Sequence, residues 1–335
     1  MTPAAPRVAC AHNDLLLELA AFHREDDPFR ARWLPVLERG GVGLQVCAVW
    51  VDASDLPERG LRCALEQVRA FHRAVEANPD RVVHVRSRAD LDLVEQGERL
   101  GLLLALEGAE PLGSDPAMVE VFRELGVRMV GLTWMRRNAF ADGNAEPEGG
   151  GLSRLGAKLV ARLVSLGIAV DLAHASDRTF RDVLELTGPA PLLVSHAGCR
   201  ALVPSPRNVP DELLAEIAAR EGFFGVMCHP YALGAGSTIE DVCLHLEHAA
   251  AVVGASRVGL GGDFTRQIGR SGAVGPPRDI ELPPGTGLDD AVEGLAGPED
   301  YPALAAALAG RGHDEAAVAG FMGANLRRFL RSALS

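Results

Sequence analysis

Six acidic or imidazole side chains follow directly after short apolar runs, at the points where buried strands would end. They are His12, Asp14, Glu107, His174, His196 and Asp263. Side chains at positions i and i+2 of an extended segment point to the same face, so His12 and Asp14 could bind one cation together. A carboxylate at the end of a buried strand, such as Glu107, needs a counter-charge or a metal to offset its desolvation. This mixed set of nitrogen and oxygen ligands suits zinc, and a shared carboxylate is typical of two-metal hydrolases.

Each of these groups taken alone also has a structural explanation. A His-x-Asp triplet occurs on many protein surfaces, and Glu107 could be the acid that caps a helix in a βα turn. A single histidine at a strand end is more often a buried structural residue than a ligand. Two such histidines, however, follow successive strands, at His174 and His196. A purely structural role is harder to accept for both of them, because His-x-Asp and Glu follow earlier strands. We therefore predict that the five groups other than Asp263 converge on metal.

The elements that must position these groups are eight short runs rich in Val, Leu and Ile, which alternate with amphipathic stretches. The runs are 7–11, 42–50, 101–106, 127–133, 168–173, 191–195, 223–228 and 257–262. Eight repeats of this kind predict an α/β fold, the (β/α)8 or TIM barrel, whose active sites form at the carboxyl ends of the strands. The alternative is a doubly wound open sheet, which would carry a glycine fingerprint after its first strand. This sequence has His12-Asn13-Asp14 there instead.

The rest of the chain predicts a single barrel domain over residues 1–335. Helical periodicity occurs at 64–76, 116–125, 155–166, 177–186, 210–221 and 239–253. The segment 268–297 is rich in Gly and Pro and has no periodicity, so we expect a long irregular connection that forms a lid or rim loop. Three terminal helices are expected at 301–309, 315–321 and 325–334, where they would close the barrel.

Composition excludes several classes of partner. The 335 residues carry a net charge of −12, so the overall field would repel nucleic acid. No apolar stretch approaches the roughly 18 residues of a membrane span, so no membrane partner is expected. The six cysteines include no C-x-x-C pair, and the first 13 residues have no apolar run typical of a signal peptide. These features predict reduced thiols and a cytoplasmic location; a homodimer remains possible.

Eight short motifs are distributed over almost the whole chain. They are HNDL at 12–15, EGA at 107–109, GVRMVGLT at 126–133, LGIAVDLAHAS at 166–176, SH at 195–196, RNVPDE at 207–212, VGLGGDF at 258–264 and GAN at 323–325. All of them resemble motifs of the membrane (renal) dipeptidases, the M19 metallopeptidases of the amidohydrolase superfamily. The resemblance implies a metal-dependent barrel of the amidohydrolase type. It also implies a metallo-dipeptidase activity of the membrane dipeptidase class (EC 3.4.13.19).

The resemblance implies a specific role for each of the five candidate ligands. His12 and Asp14 would hold one zinc ion, His174 and His196 would hold a second, and Glu107 would bridge the two. Other divalent metals remain open. The ligand set inferred from the strand ends agrees with the family's set at every position.

The resemblance further implies that Arg207 binds the free carboxylate of a dipeptide and that Asp263 moves the proton between the nucleophilic water and the leaving amine. A planar guanidinium pairs with a carboxylate through two hydrogen bonds, which would select dipeptides over longer chains. The alternative for Arg207 is a structural residue that ties down the loop 204–210. Asp263 follows a glycine-rich segment that would let substrate approach closely.

Four positions depart from the family pattern. Trp134 stands where animal members have a histidine that is thought to contact the reacting carbonyl, so it could form a substrate wall or simply pack at the barrel rim. His229 stands where relatives often have a tyrosine. It could contact substrate, contact the residues that line the site, or lie on the surface. Gly262 replaces a serine and Thr265 replaces an aspartate, which alters the edge of the pocket.

The leading hypothesis is a cytoplasmic zinc dipeptidase. The alternative keeps the dizinc site but changes the substrate to a modified dipeptide, a cyclic amide or a lactone of secondary metabolism. A metal-free binding module is disfavoured because every ligand position is intact. The other histidines are expected to be surface or structural residues, and His245 and His248 are expected on a solvated helix face rather than at a metal.

Overall fold

The computed structural model of the chain describes residues 7–96, 99–146, 150–188, 190, 192–273 and 284–334. Within these residues there are nine strands, all paired in parallel. They are β1 (Val8–Cys10), β2 (Val42–Val49), β3 (Val82–His84), β4 (Leu100–Leu106), β5 (Val127–Gly131), β6 (Ala169–Asp171), β7 (Leu193–Ala197), β8 (Phe223–Val226) and β9 (Val258–Leu260).

Eight of the strands form a closed ring. Their order is β2-β1-β9-β8-β7-β6-β5-β4, and pairing of β4 with β2 closes the circle. The predicted (β/α)8 barrel is confirmed, because each ring strand falls on one of the eight predicted apolar runs. β3 was not predicted; it lies beside the first residues of β4, outside the order of the ring, and is only three residues long.

Helices surround the ring, and fourteen α-helices lie in the described part of the chain. They are α1 (Leu15–Ala21), α2 (Leu34–Arg39), α3 (Gly60–Ala77), α4 (Arg88–Gln96), α5 (Met118–Glu124), α6 (Arg154–Ser165), α7 (Asp177–Thr187), α8 (Asp211–Ala219), α9 (Pro230–Leu233), α10 (Ile239–Val253), α11 (Arg266–Ser271), α12 (Tyr301–Gly310), α13 (Glu315–Ala319) and α14 (Asn325–Ala333). Polar caps define several starts. Ser153 accepts hydrogen bonds from the first turn of α6, and Ser176 does the same for α7. No helix among the described residues is long and apolar enough to cross a membrane.

The predicted irregular connection at 268–297 requires a correction at its start. Its first residues, 268–271, belong to α11, which ends at Gly272 in the left-handed conformation (φ 70°). Ile268 is the single buried residue of this short helix, so no apolar period announces it. Residues 284–297 form turns and short bridges as expected, and 274–283 lie outside the described residues.

The core consists of two apolar layers. One lies between the ring and its helices, and the other fills the barrel interior. The interior layer continues to the amino ends of the strands, where α14 packs across the opening with Leu326, Phe329 and Leu330. The ring of Phe329 lies 6.1 Å from that of Phe223, the first residue of β8. We call this arrangement of α14 against the strand starts the amino-end plug.

At the carboxyl ends the same alternation carries polar groups inward. Along β4, Leu103 and Ala105 belong to the interior layer, and Glu107 continues their alternation at the mouth. On β8 and after β9, a side chain at Gly225 or Gly261 would overlap the carbonyl oxygen of Ser195. Glycine at these two positions lets β8 and the segment after β9 approach Ser195 of β7 closely.

Candidate metal centre and substrate pocket

The six strand-end groups meet at the carboxyl mouth of the barrel. Their ligand atoms fall into overlapping clusters within 4.8 Å, of which one contains His12, Asp14 and Glu107 and a second contains Glu107, His174 and His196. These two clusters contain the same residues as the two ligand sets that the family resemblance implies. The third cluster joins His12 and His196 to Asp263.

Glu107 lies between the two ligand sets. Its Oε2 is 3.7 Å from Nε2 of His12, and its Oε1 is 2.9 Å from Nε2 of His174 and 3.3 Å from Nε2 of His196. The Nε2 atoms of His174 and His196 are themselves 2.9 Å apart. One carboxylate thus faces both ligand sets, each with a different oxygen.

The pKa values of the clustered side chains indicate an excess of negative charge that a cation would neutralise. Burial alone would lower the pKa of His12, but attraction by Glu107, Asp14 and Asp263 outweighs it and raises the pKa to about 10. Burial raises the pKa of Glu107 well above its usual range, and the charge of Asp14 raises it further. Negative charge is therefore in excess at the mouth, and a bound cation would reverse these shifts.

The donor set fits a divalent metal. Burial lowers the pKa of both His174 and His196 well below the usual value, so each is neutral and has a lone pair to donate. Nε2 of His12 and Oδ1 of Asp14 are buried and have no hydrogen-bond partner among the described residues. Buried polar atoms without partners are costly, and coordination of a cation would satisfy both.

Two of the clustered residues have unusual backbone. Among described residues other than glycine, positive φ angles occur at His174 (64°), Glu221 (53°) and Asp263 (54°). The carbonyl oxygen of His174 accepts a hydrogen bond of 2.8 Å from the backbone of Asn144, which holds this turn. The left-handed conformation turns each side chain into the mouth directly at a strand end, at a cost of about 1–3 kcal/mol per residue.

Asp263 lies at the edge of the cluster rather than at its centre. Its carboxylate oxygens are 3.6 Å from Nε2 of His12 and 4.0 Å from Nε2 of His196. Burial raises the pKa of Asp263 to about 6, with repulsion from Asp14 adding to the effect and the charges of His12 and Arg207 opposing it. A carboxyl group in this range can both accept and return a proton near neutral pH.

Arg207 is buried beside the cluster and faces the cavity. Its Nη2 lies 3.3 Å from Nε2 of His174, whereas its Nη1 has no hydrogen-bond partner among the described residues. Burial lowers the pKa of this guanidinium, and the charges of Asp263 and Glu107 oppose that shift. The loop is tied by Asn208, whose side chain bonds to Gly198 and to two carbonyl groups, so the Arg207 side chain is not needed for that purpose.

The cluster opens into a cavity of about 1520 Å³. Trp134 lines it, with its ring 5.2 Å from that of Trp50 and 5.9 Å from that of His174. The backbone of Trp134 donates to Oε1 of Glu110 at 3.4 Å, and the guanidinium of Arg136 lies 4.7 Å from its ring centre. Trp134 therefore forms part of the cavity wall beside a candidate ligand, which favours a substrate wall over simple rim packing.

His229 does not lie on the surface, since it is 1% exposed. Its Nδ1 accepts a hydrogen bond from the backbone of Tyr231, and its Nε2 lies 2.9 Å from the hydroxyl of Thr265. Both ring nitrogens are thus engaged within the chain, and the neighbouring Tyr231 lines the cavity instead. The hydroxyl of Tyr231 is buried without a partner among the described residues. Sequence reasoning missed Tyr231, because the turn that places it is held by the contact of His229 with Thr265, 36 positions away.

The expectation that His245 lies on a solvated helix face was wrong. His245 is 2% exposed, and its Nδ1 accepts a hydrogen bond of 2.9 Å from the backbone of Cys199. His248 lies one turn further along α10 and contacts Asp211 at 2.9 Å. The two histidines thus make separate contacts within the chain.

Known proteins match both the fold and the sequence. A (β/α)8 barrel with clustered His, Asp and Glu at its carboxyl mouth is the architecture of metal-dependent hydrolases. The chain belongs to the membrane dipeptidase family (peptidase family M19), whose family model matches residues 6–272.

Individual relatives agree with this assignment. Dipeptidase aclJ of Aspergillus oryzae is 30% identical over 344 residues, which cover 95% of this chain and 76% of that protein. A metallopeptidase structure from Rhodobacter sphaeroides, liganded with a phosphinate mimic of the dipeptide L-Ala-D-Ala, superposes with a TM-score of 0.85. It is 25% identical, and the match covers 98% of this chain and 99% of that one. An amidohydrolase structure from Pseudomonas aeruginosa is 28% identical with a TM-score of 0.79, covering 91% and 93% of the two chains.

Proposed function

We propose that this chain is a zinc-dependent dipeptidase that hydrolyses dipeptides with a free C-terminal carboxylate. The observation that carries the proposal is the buried Nη1 of Arg207 beside the candidate metal cluster, which has no hydrogen-bond partner in the described part of the chain. A buried guanidinium nitrogen without a partner calls for an anionic ligand, and a carboxylate fits its planar geometry. The membrane dipeptidase family to which the chain belongs supports the same substrate class.

The proposed metal centre holds two zinc ions. His12 and Asp14 would bind one ion, His174 and His196 would bind the other, and Glu107 would contribute one oxygen to each. When bound, such ions lower the pKa of water and polarise the carbonyl of the scissile bond. The pKa values of His12 and Glu107 are both raised by the excess of negative charge around them, which supports binding of cations here.

The residues of the chain supply binding and proton transfer. Arg207 would hold the substrate carboxylate at one side of the cluster, and this fixes which peptide bond reaches the centre. Asp263 would accept a proton on its carboxylate from the attacking water and return it to the leaving amine nitrogen. Trp134 and Trp50 would exclude water from the side of the cavity next to His174.

The test is hydrolysis of a dipeptide panel by zinc-loaded protein, with elemental analysis of the same sample. We expect about two metals per chain, and turnover of dipeptides but not of matched tripeptides. Asp263→Asn should retain the metals and lower kcat by about 10²- to 10⁴-fold. Less than about one metal per chain in zinc-loaded protein would contradict the metal centre. Near-normal kcat in Asp263→Asn at full metal content would contradict the role of Asp263.

A second candidate substrate is favoured by the size of the cavity. Its volume of about 1520 Å³ exceeds the roughly 300–1,000 Å³ of ordinary ligand pockets. A dizinc hydrolase acting on a modified dipeptide, a cyclic amide or a lactone would use this extra space. Higher kcat/KM for a dipeptide with a bulky substituent than for its unmodified parent would favour this candidate.

We also propose a single domain and a cytoplasmic location. All six cysteines are unpaired, and five of them are buried, which supports a reducing compartment. Cell fractionation checks the location, and cooperative unfolding in a single calorimetric transition checks the domain.

A further inference from the structure

Two polar residues lie buried beneath the metal cluster and have no part in the proposed reaction. Ser195 is fully buried on β7, and Asp171 is 5% exposed at the end of β6. The hydroxyl of Ser195 is 2.7 Å from Nδ1 of His196. Oδ1 of Asp171 accepts hydrogen bonds from the backbone of Ser195 at 2.9 Å and of Ala173 at 3.0 Å.

The direction of the hydrogen bonds follows from the position of His196. Its Nε2 faces Oε1 of Glu107 at 3.3 Å and Nε2 of His174 at 2.9 Å, so Nε2 is the metal-facing atom. A neutral imidazole that offers Nε2 as a lone pair carries its proton on Nδ1. Nδ1–H then donates to the Ser195 hydroxyl oxygen, and Asp171 holds Ser195 in place by accepting from its backbone N–H.

The second histidine of the same ligand set has no such support. Nδ1 of His174 is buried without a hydrogen-bond partner among the described residues. The orientation of His174 is set through its left-handed backbone and the contact of its carbonyl with Asn144. The two histidines are thus positioned by different means, one through its backbone and one through its ring.

Packing prevents this chain of hydrogen bonds from rearranging. Gly225 on β8 and Gly261 after β9 lie against the carbonyl of Ser195, with no room for a methyl group at either position. The ring of His12 stacks on that of His196 with centroids 3.7 Å apart. The His196 ring is therefore confined on its face by His12 and at its Nδ1 edge by Ser195.

We propose that Ser195 and Asp171 are positioning residues that fix the tautomer and ring orientation of His196, and so set the affinity of the metal held by His174 and His196. This inference rests on the proposed metal centre. Ligand histidines generally need a partner at the second nitrogen, and loss of that partner weakens metal binding by about 10- to 100-fold. The other metal, held by His12 and Asp14, does not depend on these two residues.

The test is titration of metal-free protein with Zn²⁺ against a competing chelator, which resolves two binding steps. Ser195→Ala should weaken one step by about 10- to 100-fold and leave the other unchanged. Asp171→Asn should weaken the same step less, because an amide oxygen can still accept from the two backbone N–H groups. The ¹⁵N NMR shifts of His196 in metal-free protein should show Nδ1 protonated in the wild type and mixed tautomers in Ser195→Ala.

A matched control separates positioning from simple loss of a buried hydroxyl. Thr179 is fully buried in α7, and its hydroxyl donates to the carbonyl of Asp142, away from the cluster. Thr179→Val should lower thermal stability and leave both metal-binding steps unchanged. If Ser195→Ala binds both metals as tightly as the wild type, or weakens both steps equally, the inference is overturned. If wild-type protein binds no metal at all, the proposed function fails instead. Asp171→Asn decides the question if Ser195→Ala does not fold.

Discussion

The two ends of the barrel are closed by opposite kinds of side chain. The carboxyl mouth brings together three histidines, three carboxylates and an arginine, all buried. Several of their polar atoms have no hydrogen-bond partner among the residues that the structure describes. The amino-end plug closes the other end with Leu326, Phe329 and Leu330 from α14 against the interior layer. The same eight strands connect both ends.

This difference separates the source of stability from the site of chemistry. Unpaired buried charges and left-handed backbone destabilise the mouth, and apolar burial at the plug stabilises the strands that carry it. In such barrels the carboxyl face serves function and the amino face serves stability. Mutations at the two ends should therefore fall into two distinct classes, one lowering activity and the other lowering the free energy of unfolding.

The largest effect is expected at the mouth, for Glu107→Gln. Loss of the shared carboxylate should remove metal and lower kcat/KM at least about a thousandfold, or some 4 kcal/mol. Without metal, the variant should unfold at the same temperature as metal-free wild-type protein or at a higher one, because a buried, poorly compensated carboxylate is removed. Glu110→Gln is the control, because Glu110 is a neighbouring carboxylate outside the cluster. This variant should retain both metals. A Glu107→Gln enzyme with normal metal content and turnover would contradict the bridging role.

The plug should respond in the opposite way. Leu330 is 1% exposed, and Leu330→Ala should lower the free energy of unfolding by about 2–5 kcal/mol while folded protein keeps the wild-type kcat. Leu186→Ala, at a leucine of α7 that is 53% exposed, should change stability by less than about 0.5 kcal/mol. Urea unfolding and steady-state kinetics measure the two quantities. If Leu330→Ala lowers kcat without lowering stability, the division between the ends does not hold.

Arg207→Met, also at the mouth, should lower activity less than Glu107→Gln does. Wild-type enzyme should strongly prefer a dipeptide over its C-terminal amide, and the variant should nearly lose this preference. The charge-assisted contact is worth about 1.5–3 kcal/mol, so kcat/KM for the free acid should fall about 10- to 150-fold. Kinetics on matched acid and amide substrates check this. A variant that loses stability but keeps the full preference would show that Arg207 is structural.

The smallest effect concerns the loop that carries Arg207. Burial lowers the pKa of His245 to about 4, and its neutral Nδ1 accepts from Cys199 at the start of that loop. Between pH 6.5 and 4 the unfolded chain binds this proton and the folded chain does not, so stability falls as pH falls through this window. His245→Gln should remove on the order of 1–2 kcal/mol of that pH dependence.

Urea unfolding at several pH values measures this difference. An unchanged slope in His245→Gln would show that the pH dependence of stability does not come from His245. The plug has no comparable histidine, so Leu330→Ala should shift stability equally at all pH values.

The sequence predicted the ring and its polar mouth because both depend on local patterns. Apolar runs mark the strands, and Glu107 and His196 follow them directly in the chain. β3 has only three residues, and α11 buries a single side chain, so neither produces a periodic signal. α10 is apolar on most of its faces, and periodicity could not tell which side of it buries His245.

The remaining features depend on contacts between distant parts of the chain. Asp171 and Ser195 meet across neighbouring strands, 24 positions apart, and His229 meets Thr265 from 36 positions away. Such pairings depend on strand register and loop closure, which a single sequence does not encode locally. Asp171 and Ser195 were visible as members of motifs, but nothing in the sequence linked them to the His196 ring.

The left-handed backbone at His174 and Asp263 has a consequence for laboratory evolution. Glycine and asparagine adopt this conformation more easily than histidine or aspartate, so replacing either residue relieves strain. A library screened only for resistance to heat would therefore enrich inactive clones at these two positions. Selection schemes for a more robust catalyst need to alternate heat challenge with turnover, or to hold both codons fixed while the rest of the gene varies.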